Sequence, residues 1–106
     1  MSFGIGTNTG NADSGVIKGI QKEIACQCWF TRSGEITPLM IKVQDEDGEI
    51  RAIRQIKVHS REAKRYAGIP TTEFDCTLII LEQAIDAKLI YYQTENRWVM
   101  VLDKGI

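Results

Sequence analysis

FDCTLIILEQAIDAKLIYYQTENRWVMVLD, residues 74–103, decides the fold of this chain. Phe74, Cys76, Leu78 and Ile80 alternate with their neighbours at the period of an extended strand, whose successive side chains point to opposite faces. Ile79 and Leu81 make the second face of that strand apolar too, so it should be covered on both sides. After a connection at Ala84–Ala87, Leu89–Thr94 and Trp98–Leu102 pair across Glu95-Asn96-Arg97. Trp98 shares its parity with Met100 and Leu102 and is placed inward. These three strands should supply half the core.

Upstream, alternation begins at Glu23. Ile24, Cys26, Cys28 and Phe30 share one face, and Trp29 falls on the polar parity. Arg32-Ser33-Gly34 is a turn. Ile36–Gln44 then reads as a strand with Leu39, Ile41 and Val43 inward. Pro38 has no N–H for a ladder, so it marks an edge or a bulge. Asp45-Glu46-Asp47-Gly48 is a hairpin turn ending in Asp-Gly.

Residues 49–58, EIRAIRQIKV, can be read in two ways. Ile50, Ala52, Ile56 and Val58 share a strand parity, whereas Ala52, Ile56, His59, Ala63 and Tyr66 follow helical spacing. Four β-branched residues in the segment, and a turn that needs a partner, favour the strand. Ser60–Gly68, SREAKRYAG, is expected to be a short helix. Ser60 suits the N-cap, Ala63, Tyr66 and Ala67 form an apolar stripe, and Gly68 stands where a C′ glycine belongs. Residues 1–20 carry five glycines among small polar residues and are expected to be a flexible tail. GIGTNTG there lacks the strand and helix that would flank a phosphate-cradling loop.

The expected fold is therefore all-β. A small antiparallel six-stranded barrel or curved sheet, in βββ-α-βββ order with one short helix, should occupy residues 21–106 as one domain. The order resembles that of the OB-fold, where a helix follows the third strand. The likeness is one of element order alone and implies no activity.

Composition sets further bounds. The chain has 106 residues, of which 43% are hydrophobic and 25% charged, enough for a core that needs no metal or disulfide. A net charge of −1 gives no global pull towards nucleic acid or membrane. The first residues lack the basic and apolar regions of a signal peptide, so a cytoplasmic protein with no membrane partner is expected. Cys26, Cys28 and Cys76 are accordingly expected as reduced thiols.

Little in the sequence points to catalysis. His59 is the single histidine, no cysteine neighbours it in sequence, and no G-x-S-x-G elbow occurs. Cys26-x-Cys28 with Cys76 and His59 could form a tetrahedral metal set, but thiols within an apolar strand face read as core. No enzyme, metal or cofactor is expected. Two surfaces could bind partners. One is apolar: Trp29 with Ile79, Leu81, Val99 and Val101, suited to a protein partner or a second copy of the chain. The other is basic. Arg51, Arg54, Lys57, Arg61, Lys64 and Arg65 stand against Glu62 alone, a local +5 against −6 for the rest. The primary expectation is a non-enzymatic binding or accessory module that contacts protein or self-associates. The alternative is nucleic-acid contact through residues 51–65.

Overall fold

The computed structural model describes residues 15, 17 and 19–103. The expected tail, residues 1–20, lies mostly outside that set. Seven strands follow: β1 (Ile20–Phe30), β2 (Ile36–Gln44), β3 (Ile50–Ile53), β4 (Ile56–Tyr66), β5 (Ile69–Ile80), β6 (Gln83–Tyr92) and β7 (Arg97–Leu102). All pairings are antiparallel, in the order β3-β2-β1-β7-β6-β5-β4.

That order forces the sheet to curl. β3 and β4 are opposite edges, yet only Arg54 and Gln55 separate them in sequence. Across a flat sheet the edges would lie roughly 29 Å apart, at about 4.8 Å per strand spacing. Three Cα–Cα steps span at most about 11 Å. The sheet therefore bends into a half-barrel, and the Ile79 amide donates to the Gln55 carbonyl at 3.1 Å, carrying the β4–β5 ladder back into the link between the edges.

The concave face holds the main core. Phe74, Leu78, Leu89, Met100 and Leu102 are fully buried there, with Ile41 and Val43 opposite them from β2. Trp98 packs between Phe74 and Tyr91, with ring centroids 5.6 and 5.1 Å away. Each such side chain contributes about 1.5–3 kcal/mol by leaving water. A second cluster lies on the outer face, where Tyr66, Ile90, Tyr92, Val99 and Val101 are buried and Ile17 and Ile69 pack against them.

The all-β class and the curved antiparallel sheet are as the alternation implied; the strand count and the helix are corrected. Ser60–Tyr66 is strand, continuous with Ile56, and pairs with β5 as far as Tyr66↔Ile69. The glycine signal was real but belongs to a two-residue hairpin, in which Ala67 and Gly68 take φ of 52° and 83°. That loop length with two positive φ values matches the twist of the flanking strands. Ten residue pairs along β5 outweigh the helix propensity of Arg, Glu, Ala and Lys. Ala84–Ala87, expected as a connection, lies inside β6, because the turn is only Leu81-Glu82.

Two bulges reset side-chain parity. Between Gln27 and Cys28 the β1–β2 register skips Leu39, so Ile36 and Pro38 point inward while Leu39, expected inside, is exposed. Pro38 thus adjoins a bulge, as its missing N–H requires. Between Val58 and Ser60 a second bulge leaves His59 unpaired, with Val58 opposite Cys76 and Arg61 opposite Phe74. Residues 49–58 are strand, interrupted at Arg54-Gln55, and this break sends Ile53 to the core and leaves Ile50 exposed. Among the described residues no helix is long and apolar enough to cross a membrane.

Candidate functional site

The outer parity of the hairpins β4–β5 and β6–β7 sets polar and apolar rows side by side. Across neighbouring strands, Glu73 stands opposite Ile90 and Ile90 opposite Val99. In the next row Ser60 faces Asp75, Asp75 faces Lys88 and Lys88 faces Val101. Beyond it, Lys57 faces Thr77 and Thr77 faces Asp86. A groove of about 640 Å³ runs over these rows. Ile17, Tyr66, Ile90 and Val101 form its apolar side; His59, Asp75, Asp86, Lys88 and Asp103 form its polar side, and Glu73 lies within it. A volume of that size suits a small ligand or a few residues of peptide.

Glu73 is 3% exposed, an unfavourable place for a charge unless it is matched. Lys64 Nζ lies 2.9 Å and Lys88 Nζ 3.4 Å from its Oε2, and the Tyr66 hydroxyl donates to Oε1. Burial would raise the Glu73 pKa, but the hydrogen bonds from Lys64 and Tyr66 and the two ammonium charges override it, so the carboxyl titrates below its ordinary range. Burial first, and then the Glu73 hydrogen bond, push the Tyr66 phenol up. The hydrogen bond to Glu73 holds the Lys64 ammonium above its usual value. Glu73, Tyr66 and Lys88 of this cluster line the groove.

The polar rim is differently arranged. Ser60 Oγ donates to Asp75 at 3.2 Å. Thr77 Oγ1 donates to Asp86 at 3.1 Å and shares a hydrogen bond with His59 Nε2 at 2.6 Å. Asp75, Asp86 and Asp103 form no ion pair among the described residues.

The structure scatters the basic residues that are contiguous in sequence. Arg51 pairs with Asp45 at 2.7 Å, back across the β2–β3 hairpin. The Asp45 carboxylate is already held low by the Glu49 amide, and its Oδ1 also accepts from Asp47 N, so the acidic turn is a hydrogen-bonded cap on its own backbone. Arg61 takes the concave parity, lies over Phe74 at 5.8 Å and donates to the Ile36 carbonyl at 3.1 Å, bridging the open seam of the half-barrel. Lys64 turns outward to Glu73. Arg65 donates to the Gly68 carbonyl at 3.2 Å. Arg54 and Lys57 are exposed and unpaired with carboxylates among the described residues. Four of the six cations lie on β4, an edge strand, where charge discourages unwanted strand pairing.

Trp29 is 63% exposed on the outer face of β1, as its parity required. Of the apolar residues grouped with it, Val99 and Val101 are buried under the outer cluster, while Ile79 and Leu81 are exposed. The three cysteines point to the concave face and His59 to the outer one, which breaks up the tetrahedral set read from sequence. Among the described residues no group of three or more His, Cys, Asp or Glu side chains could hold a metal ion. Burial pushes the Cys26 and Cys76 thiols up to about 12 and raises Cys28 as well.

The sequence gives no signal for Glu73, Asp75, Asp86 and Lys88, which alternate with apolar residues as on any solvated strand face, or for Asp103, which follows the end of β7. No family model, no curated protein and no solved structure matches the chain.

Proposed function

We propose that the protein is a non-enzymatic binding module that holds a segment of a partner protein in its outer groove. One observation carries this reading: a cavity of about 640 Å³ with an apolar side, three aspartates without ion pairs among the described residues on its polar side, and the buried Glu73, held by Lys64, Lys88 and Tyr66, within it. Binding sites are built this way, from apolar surface for affinity and a few fixed polar groups for orientation. The chemistry at hand favours binding over turnover. Thiols raised by burial are poor nucleophiles, and His59 lies on the opposite face of the sheet from all three.

Selection of a random peptide library on the immobilised full chain tests this. Selected peptides should lose binding to Ile17→Asp and Asp86→Arg and keep it on Trp29→Ala. Peptides that ignore both groove substitutions, or that are lost with Trp29→Ala, would move the site to the exposed face of β1.

The alternative, nucleic-acid contact, draws support from Arg54 and Lys57, which are exposed without a carboxylate partner among the described residues. It is weakened by the ties that hold Arg51, Arg61 and Lys64 and by their distribution over both faces of the sheet.

A further inference from the structure

The charges of the groove oppose one another at one end. Lys88↔Val101 ends the β6–β7 ladder. Asp103 directly follows β7, two residues beyond that last pair, and Asp86 lies two residues before Lys88 on β6, so both carboxylates stand at the same end of the ladder, and both line the groove. Like charges gathered at one end of neighbouring strands repel one another. Asp75 adds a third carboxylate from β5. The hydroxyls of Ser60 and Thr77 hold Asp75 and Asp86 but bring no charge. Lys88, the one ammonium in the lining among the described residues, is engaged with Glu73. Four carboxylates, of Glu73, Asp75, Asp86 and Asp103, thus line the groove beside an apolar wall of Ile17, Ile90 and Val101, against one described ammonium, Lys88, which stands opposite Asp75 and pairs with Glu73.

We propose that the occupant is a basic segment of a partner protein. Its lysine or arginine sits among Asp75, Asp86 and Asp103, and its apolar neighbours lie on Ile17, Ile90 and Val101. This rests on the groove being a peptide site and adds the charge of the peptide. A cation there relieves the repulsion between Asp86 and Asp103, whereas a phosphate backbone would be repelled. The apolar wall favours a segment with both characters over a bare amine.

Dye-labelled octapeptides alternating leucine with lysine, serine or glutamate, titrated against the full chain by fluorescence anisotropy, provide the test. The leucine–lysine peptide should bind most tightly, and Asp86→Asn with Asp103→Asn should weaken it about tenfold or more. If the serine peptide binds as well as the lysine peptide, or the asparagine pair changes nothing, the preference for a cation is wrong and the groove reading stands. If no peptide binds, both fall. A measurement without ligand checks the premise. Asp103→Asn alone should raise the melting temperature at low salt, and no rise would overturn the like-charge repulsion.

Discussion

The phenol of Tyr66 donates its hydrogen bond to Glu73, seven residues on and across the tight Ala67-Gly68 hairpin, and so holds a carboxylate under the outer face of the sheet. Lys64 and Lys88 complete the shell from β4 and β6. Three strands are thereby tied to one buried charge. Glu73→Ala would leave two ammonium groups and a phenol facing one another. The expected cost is about 2–4 kcal/mol, at or below that of breaking a fully buried pair because both lysines reach solvent. Urea unfolding of Glu73→Ala beside Lys88→Ala checks this, and the lysine change should cost less.

The same cluster sets a pH dependence. The folded pKa of Glu73 is lowered, so its stabilisation is present above the ordinary carboxyl pKa and is lost as pH falls through the folded value. Lys64 and Tyr66 are raised, so their contribution is full below their ordinary values and is lost as pH rises through the folded ones. Thermal melts should show the wild type losing more stability than Glu73→Gln on acidification from about pH 5 to about pH 2. Equal losses would mean that other carboxylates set the acid limit.

In the concave core, Trp98 is 6% exposed and packs against both Phe74 and Tyr91. Trp98→Ala should cost about 3–5 kcal/mol in denaturant melts.

The β5–β6 turn is a site of strain. Leu81 and Glu82 both take positive φ, 50° and 65°, and Leu81 is 74% exposed. Side chains with a Cβ disfavour that region by about 1–2 kcal/mol per residue, and asparagine and glycine are the residues such a turn prefers. Leu81→Asn with Glu82→Gly should raise stability by about 1 kcal/mol, read as a higher urea midpoint with an unchanged slope.

What the sequence made legible follows from local periodicity. The alternation of Phe74, Cys76, Leu78 and Ile80, and of Trp98, Met100 and Leu102, gave the concave face correctly. Pro38 announced a bulge because a proline cannot serve a ladder. The errors lie where two physical readings share one signal. A glycine with positive φ ends a helix or makes a hairpin turn, and at Gly68 only the ten-residue partner in β5 distinguishes them. The site was less visible than the fold. Asp75, Asp86 and Lys88 alternate as any wet strand face does, and the β1–β7 pairing that completes the sheet joins residues from opposite ends of the described chain. The basic segment was conspicuous in sequence because its charges are contiguous there, and the bulge at His59 divides them between two faces.

A labelled oligonucleotide, single- or double-stranded, should therefore give little anisotropy change even at low salt. Salt-steep binding abolished by Arg54→Glu with Lys57→Glu would make the edge of the sheet the principal interface.

The most direct test of the groove as the binding site is an amide chemical-shift map of the full chain titrated with the leucine–lysine octapeptide. Perturbations should concentrate at Ile17, Asp75, Asp86, Lys88 and Val101, with Trp29 and Arg51 unmoved. Shifts centred on Trp29 and Phe30, or a spectrum that does not change, would contradict it.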